Sequence, residues 1–367
     1  MKANLEDVLK CAICPNMCRF ACPVLDAEKS ESTSPSGRMR IAYLMETDKL
    51  HFSRDAVELM YKCAGCSACQ FWCPFEFDVS DLSLGVREDI VDKNKVPPAV
   101  VQLIQDLEKS RRLYGTNSTV QKLMETSVKE ADVLFFVGCV SAAKRPEVVK
   151  STVEILKKAE VDFTMISDEW CCGAPAGFLG FAEVFRRFAE HNAEDFEKTG
   201  CKTVICDCPG CAYTLKELYP LKGVKLGQEI LHSSQFFLKL IKEKLIKPKV
   251  PNKQSYVFHD PCLLARKLNI ESEPREVLTS IPRLKLREPR FTGKETWCCG
   301  NGGTLRVVSP KTSRKITDRR LQELKAISNF VISACPTCEV TFKDADERGE
   351  AEVFDISEIL LKSLTKV

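Results

Sequence analysis

The amino-acid sequence predicts a mostly α-helical domain followed by two copies of one α/β domain. Three observations predict it. Two runs of four cysteines lie near the N-terminus, at Cys11 to Cys22 and Cys63 to Cys73. The pattern changes at Ala131 from helical periodicity to short β-branched runs alternating with amphipathic helices. A five-cysteine arrangement then occurs twice at nearly the same spacing. The expected divisions are a helical domain over 1–95, a helical linker over 96–131, and α/β domains over 132–250 and 251–367.

Composition sets the limits. The chain has 367 residues, 44% of them apolar, enough for several cores. A formal charge of +3, without a basic block, argues against a nucleic-acid surface. No run of about 18 apolar residues predicts a membrane span, and the first ten residues lack the continuous apolar segment of a signal peptide. The expected location is therefore cytoplasmic, with any membrane association through a partner subunit. Twenty cysteines in a reducing compartment favour metal binding over disulfides.

The first run, Cys11, Cys14, Cys18 and Cys22, reads C-x2-C-x3-C-x3-C and is followed by Pro23. The second, Cys63, Cys66, Cys69 and Cys73, reads C-x2-C-x2-C-x3-C and is followed by Pro74, the bacterial ferredoxin pattern. Three thiolates in one tight turn cap three irons of a cubane, and the displaced fourth reaches the other cluster. Cys63, Cys66, Cys69 and Cys22 are thus expected to hold one 4Fe-4S cubane, and Cys11, Cys14, Cys18 and Cys73 the other. Zinc is the competing reading for each run. Helical spacing over 36–50, 55–61 and 79–92 makes this ferredoxin-like domain mostly α. Residues 93–130, with Val96-Pro97-Pro98, read as a connection carrying a helix or two.

The α/β part follows in order. Residues 133–137 form an expected strand ending at Cys139, 146–159 a helix, 162–166 a strand toward Cys171-Cys172-Gly173, 181–198 a helix closed by Gly200, and 203–205 a strand delivering Cys208 and Cys211. The second copy has an expected strand at 256–258 before Cys262, then Cys298-Cys299-Gly300, a helix at 317–327, and a strand at 330–332 delivering Cys335 and Cys338. The first copy reads C-x31-CC-x35-CxxC and the second C-x35-CC-x35-CxxC, which marks an internal duplication. Smaller features repeat too: Trp170 with Trp297, Thr214 and Lys216 with Thr341 and Lys343, and Glu229-Ile230-Leu231 with Glu358-Ile359-Leu360.

Adjacent cysteines in extended backbone point to opposite sides, so a CC pair suits two metals of a larger cluster better than one tetrahedral ion. Gly173 and Gly300 are expected to let the backbone pass close to inorganic sulfur. Four, four, five and five ligands use eighteen cysteines and leave Cys201 and Cys206 as buried structural thiols. Strand ends should gather both five-cysteine sites at one cleft between the copies.

Cys139 with Trp170-Cys171-Cys172-Gly173 and Cys208 to Cys211, repeated at Cys262, Cys298-Cys299-Gly300 and Cys335 to Cys338, resembles the paired cysteine-rich CCG domains of heterodisulfide reductase. With the ferredoxin-like domain ahead of them, the whole chain is similar to the D subunit of the membrane-type enzyme. The iron-sulfur subunits of glycolate, lactate and anaerobic glycerol-3-phosphate dehydrogenases share the architecture, and Glu31-Ser-Thr-Ser-Pro-Ser-Gly-Arg38 resembles their N-terminal domains. The resemblance implies two cubane and two non-cubane 4Fe-4S clusters, each non-cubane cluster on five cysteines, placed to open a disulfide by successive one-electron transfers.

Under that implication His259, in His259-Asp260-Pro261-Cys262, is a candidate proton donor; its other reading is a turn histidine bonding backbone groups. Lys144-Arg145 and Arg266-Lys267 could hold an anionic substrate or offset cluster charge, or be solvated helix ends. Trp170 and Trp297 are expected to pack over the clusters. No G-x-G-x-x-G follows a strand, so a flavin- or cytochrome b/quinone-linked partner is expected to exchange electrons with the chain. A second reading makes the chain a pure electron relay for a flavoprotein dehydrogenase or electron-transferring flavoprotein, without substrate.

Overall fold

The computed structural model describes residues 4–127 and 130–364. Residues 1–3, 128–129 and 365–367, within the expected N-terminal domain, connection and second α/β domain, lie outside them. In the N-terminal part, helices Leu5–Ile13, Pro35–Glu46, Arg54–Tyr61 and Val79–Asp92 begin on Asn4, Ser34, Ser53 and Asp78, whose side chains accept from first-turn N–H groups. Their inner faces bury Val8, Met39, Met60, Tyr61, Val86 and Ile90. The helix expected over 36–50 stops at Glu46, where Asp48 turns left-handed. The connection carries helices Pro98–Ser110 and Ser118–Glu125. No helix among the described residues is long and apolar enough to cross a membrane.

Two parallel four-stranded sheets follow. Strands β1 (Val133–Phe136), β2 (Phe163–Thr164), β3 (Thr203–Cys206) and β4 (Glu229–His232) lie in the order β2-β1-β3-β4. Strands β5 (Ser255–His259), β6 (Lys285–Arg287), β7 (Phe330–Ser333) and β8 (Glu352–Asp355) lie in the order β6-β5-β7-β8. The duplication read from cysteine spacing is therefore a duplication of sheet topology. The strand order switches sides between β1 and β3, and between β5 and β7, which places a crevice at their carboxyl ends.

Strands β4, β6 and β8 have no counterpart in the sequence reading. They are edge strands that begin on Glu or Lys and expose part of their length, so they lack the continuous apolar run of a central strand. The expected match of Glu229-Ile230-Leu231 with Glu358-Ile359-Leu360 is also corrected, because the first triplet is strand β4 and the second lies in helix Ile356–Ser363. The equivalent residues are His232 and Asp355, each closing an edge strand and capping the next helix through a box with Gln235 or Glu358.

Candidate metal centres and the cleft between the repeats

In the helical domain the cysteines gather around two cavities. One is lined by Cys22, Cys63, Cys66 and Cys69, the other by Cys11, Cys14, Cys18 and Cys73 with Cys69 on a shared wall. The loop from Cys63 to Cys69 reaches this shape through left-handed Gly65 and Ser67, then short helix Ala68–Phe71. Burial pushes the Cys11 thiol up to about 12 and the Cys18 thiol to about 11. Buried sulfurs in such number resist ionisation unless cations lie among them, and bound iron supplies that charge. Buried Arg38 donates to Thr33 O at 2.5 Å and Lys62 O at 3.2 Å and lies 3.9 Å from Cys63 Sγ. It is a fixed cation beside one centre. In the sequence Arg38 only closes the stretch that begins at Glu31, and nothing there marks it for this role.

In the repeats, each cysteine set sits at carboxyl ends of strands. β1 runs into Cys139, which opens helix Cys139–Lys144, and β3 runs into Cys208, the N-cap of helix Pro209–Tyr213. The Glu169 carboxylate accepts from Val137 N at 2.7 Å and Gly138 N at 2.9 Å, fixing the turn into Cys139. Cys139 Sγ and Cys171 Sγ are 3.9 Å apart. One cavity of about 330 Å³ is lined by nine of the ten repeat cysteines, all but Cys298, so both repeats face the same cleft. Cys298 lies against Cys262 and Cys299 of its own repeat and also adjoins Cys66 of the helical domain. Five soft sulfur donors per repeat, all buried except the half-buried Cys208, fit an iron-sulfur group and exceed the four of tetrahedral zinc.

The cleft is mostly apolar. It reaches solvent beside Tyr114, Arg306 and Val307, which are partly exposed at its wall, and Arg306 is the charged residue among the described ones that line it. Neither Tyr114 nor Arg306 stands out in the sequence. Tyr114 lies in the connection with no motif around it, and Arg306 comes near through left-handed Thr304 after Gly302 and Gly303.

Several expected site residues lie elsewhere. His259 is fully buried behind Cys299, accepting from Arg320 Nε at Nδ1, and does not line the cleft. Arg145, also fully buried, reaches Glu339, Glu358 at 2.5 Å and Glu147 at 2.5 Å. Lys144 is exposed at the last turn of its helix, with its ammonium 5.4 Å from the Tyr114 ring centre. Arg266 donates to Cys66 O at 2.5 Å and to Lys294 O and Thr296 O at 2.8 Å. Lys267 pairs with Asp78 at 2.5 Å and Asp81 at 3.2 Å. Arg145 thus joins repeat to repeat, and Arg266 and Lys267 join the second repeat to the helical domain. Their charge is spent on other protein groups rather than offered to substrate.

The glycines and tryptophans singled out beside the CC pairs have protein neighbours of their own. A Cβ on Gly173 would meet Phe185 and Phe188 at 3.1 Å, and one on Gly300 would meet Ser313 O at 2.6 Å. Both glycines turn left-handed, at φ 79° and 98°, so backbone conformation and helix packing alone already require glycine there. Trp170 stacks on His191 at 3.7 Å and Trp297 carries the Arg319 guanidinium 3.5 Å above its ring. Neither lines the cleft. Cys201 and Cys206 are buried, with Cys206 inside β3.

The chain matches two family models, a 4Fe-4S dicluster domain over residues 7–77 and a cysteine-rich domain over 133–216 and again over 256–343. It is 27% identical over 83% of its length to the D subunit of the dihydromethanophenazine:CoB–CoM heterodisulfide reductase of Methanosarcina barkeri, covering 78% of that protein. It is 26% identical over 94% of its length to the B subunit of the fumarate reductase (CoM/CoB) of Methanothermobacter marburgensis, covering 70% of that protein. Over 84% of its length it is 26% identical to the EtfAB:quinone oxidoreductase of Syntrophomonas wolfei, covering 47% of that protein.

Proposed function

We propose, on the premise that this chain is an iron-sulfur electron-transfer protein related to the D subunit of heterodisulfide reductase, that it opens or forms the S–S bond of a small disulfide in the cleft between its repeats. Two cubane 4Fe-4S clusters would occupy the helical domain and one non-cubane 4Fe-4S cluster each repeat. The observation that carries this reading is the cleft itself, shared by both cysteine sets and open beside Tyr114, Arg306 and Val307. A pure relay has no use for such access. Bound clusters supply electrons one at a time, and the net change is RSSR′ + 2e⁻ + 2H⁺ → RSH + R′SH, with both electrons from a flavin- or cytochrome b/quinone-linked partner.

The chain's residues order the path. Cys14, Cys18 and Cys73 are the less buried thiols of the helical domain, and Ile13, Met17, Phe20, Phe71, Trp72 and Phe75 are exposed on the same domain. That surface suits a redox partner. Cys66 then adjoins Cys298 of the second repeat, and Cys335 adjoins Cys208 of the first. At the cleft, Arg306 is half-exposed and 2.8 Å from Asp344, placed to meet an anionic substrate group. Arg306→Ala is expected to weaken an exposed charge contact of about 1 kcal/mol, which raises KM for an anionic disulfide roughly fivefold and leaves kcat nearly unchanged.

Anaerobic iron and sulfide analysis with EPR tests the whole reading. The expected result is about sixteen irons per chain and a new paramagnetic signal when CoM or CoB is added to the oxidised protein. Full iron without any thiol response would instead favour the relay. Cys299→Ser is expected to lose about four irons, while Cys206→Ala retains all of them.

A further inference from the structure

We propose that the two cysteine-rich sites are electronically unequal by construction: His259, locked by Arg320, aims an N–H at the sulfur ligands of the second site and raises its reduction potential above that of the first. The inference rests on the four-cluster reading and goes on to rank its sites.

β5 ends on His259, three residues before Cys262, and the imidazole is fully buried. Arg320, on helix Pro310–Lys325, donates Nε–H to His259 Nδ1 at 3.2 Å. A guanidinium is only a donor, so Nδ1 must accept and the imidazole proton resides on Nε2. Among the described residues Nε2 meets no nitrogen or oxygen acceptor, whereas Cys299 lies against the ring and a ring nitrogen of His259 and the sulfurs of Cys299 and Cys338 all lie within 4.8 Å of one another. A buried N–H beside the Cys299 and Cys338 sulfurs is a donor that a cluster ligand can satisfy. Arg320 cannot swing away, because Glu323 holds it at 2.7 Å and Phe291 O and Thr296 Oγ1 at 3.3 Å.

At the equivalent position the first repeat has no donor. β1 pairs Phe136 with Cys206, two residues before Cys208, just as β5 pairs His259 with Ser333, two residues before Cys335. Phe136 is therefore the counterpart of His259, and its ring packs edge-on against Phe196 at 5.8 Å. Hydrogen bonds to cluster sulfur favour the more negative, reduced state, and a buried guanidinium acts in the same direction. The second site, adjoining Cys66, is then the one filled first by electrons arriving from the helical domain. His259 is a positioning residue, not a proton donor to substrate.

The test is an EPR-monitored redox titration of the full, cluster-loaded chain. His259→Phe installs the first repeat's residue. One of four midpoint potentials is expected to fall, by at least tenfold in the reduction equilibrium, about 59 mV for one electron, with the other three unmoved. His259→Gln, which restores an N–H, is expected to recover much of that shift. Should the phenylalanine variant fail to assemble, His259→Met removes the donor with less change of shape. Four unmoved potentials, or a glutamine variant that falls as far as the methionine one, overturns the inference while leaving the function reading intact. Fewer than four centres in the wild-type chain overturns both.

Discussion

Arg145→Ala is expected to destabilise the protein by about 3–5 kcal/mol, lowering the thermal midpoint by roughly 5–15 °C at a fixed scan rate. Arg145 is fully buried at the turn between helices Cys139–Lys144 and Pro146–Lys158 of the first repeat. From there it reaches Glu339 in helix Pro336–Ala345 and Glu358 in helix Ile356–Ser363 of the second. Burial already pushes the Glu339 carboxyl up against the pull of Arg145, and its Oε1 has no partner. Removing the guanidinium strands one fully buried carboxylate and one mostly buried one. Desolvation without compensation, rather than loss of attraction, dominates the cost. The triple variant Arg145→Met, Glu339→Gln, Glu358→Gln should regain most of the loss because no charge is left unpaired. A single variant within about 1 kcal/mol of wild type would mean that the network does not hold the repeats together.

That network shows where the sequence stops being legible. Cysteine arithmetic carries the duplication, the grouping of eight cysteines around two cavities, and the placement of both repeat sites at carboxyl ends of strands. Those features are local, since a spacing determines which thiols one turn presents. Adjacency to Cys139 and Cys262 points by the same logic to the basic pairs as substrate groups, and there it fails. The partners of Arg145, Arg266 and Lys267 lie in other parts of the chain, at Glu339, Cys66 and Asp78, where no sequence pattern connects them. His259 misleads in a similar way: it is close to a ligand in sequence, but its ring points into the layer between β5 and helix Pro310–Lys325. Tyr114 and Arg306 become visible only when the helical connection and the second repeat close over one cleft.

Gly302→Ala is expected to separate the helical domain from the second repeat and slow electron passage between them. The Cβ of alanine at this position would stand 2.3 Å from Ala64 O and 3.4 Å from Ala64 C. Both are backbone atoms of the loop that carries Cys63 and Cys66, so no side-chain rotation relieves the clash. Relief requires moving the Cys66 loop away from Cys298, the thiol pair that joins the two parts. The overpacking should cost about 1–3 kcal/mol. A misplacement of about 1 Å can cost about 100-fold at a reacting geometry, so slowing on the order of tenfold or more is expected here. Rapid-freeze EPR after mixing with dithionite would show the helical-domain centres reducing at the normal rate and the repeat centres lagging. Gly115→Ala, whose Cβ meets nothing within 4 Å, is the matched control. If Gly302→Ala loses stability but the repeat centres keep pace, electrons reach the repeats by a route other than Cys66 and Cys298. The order of filling inferred from His259 would then have to be argued from potentials alone.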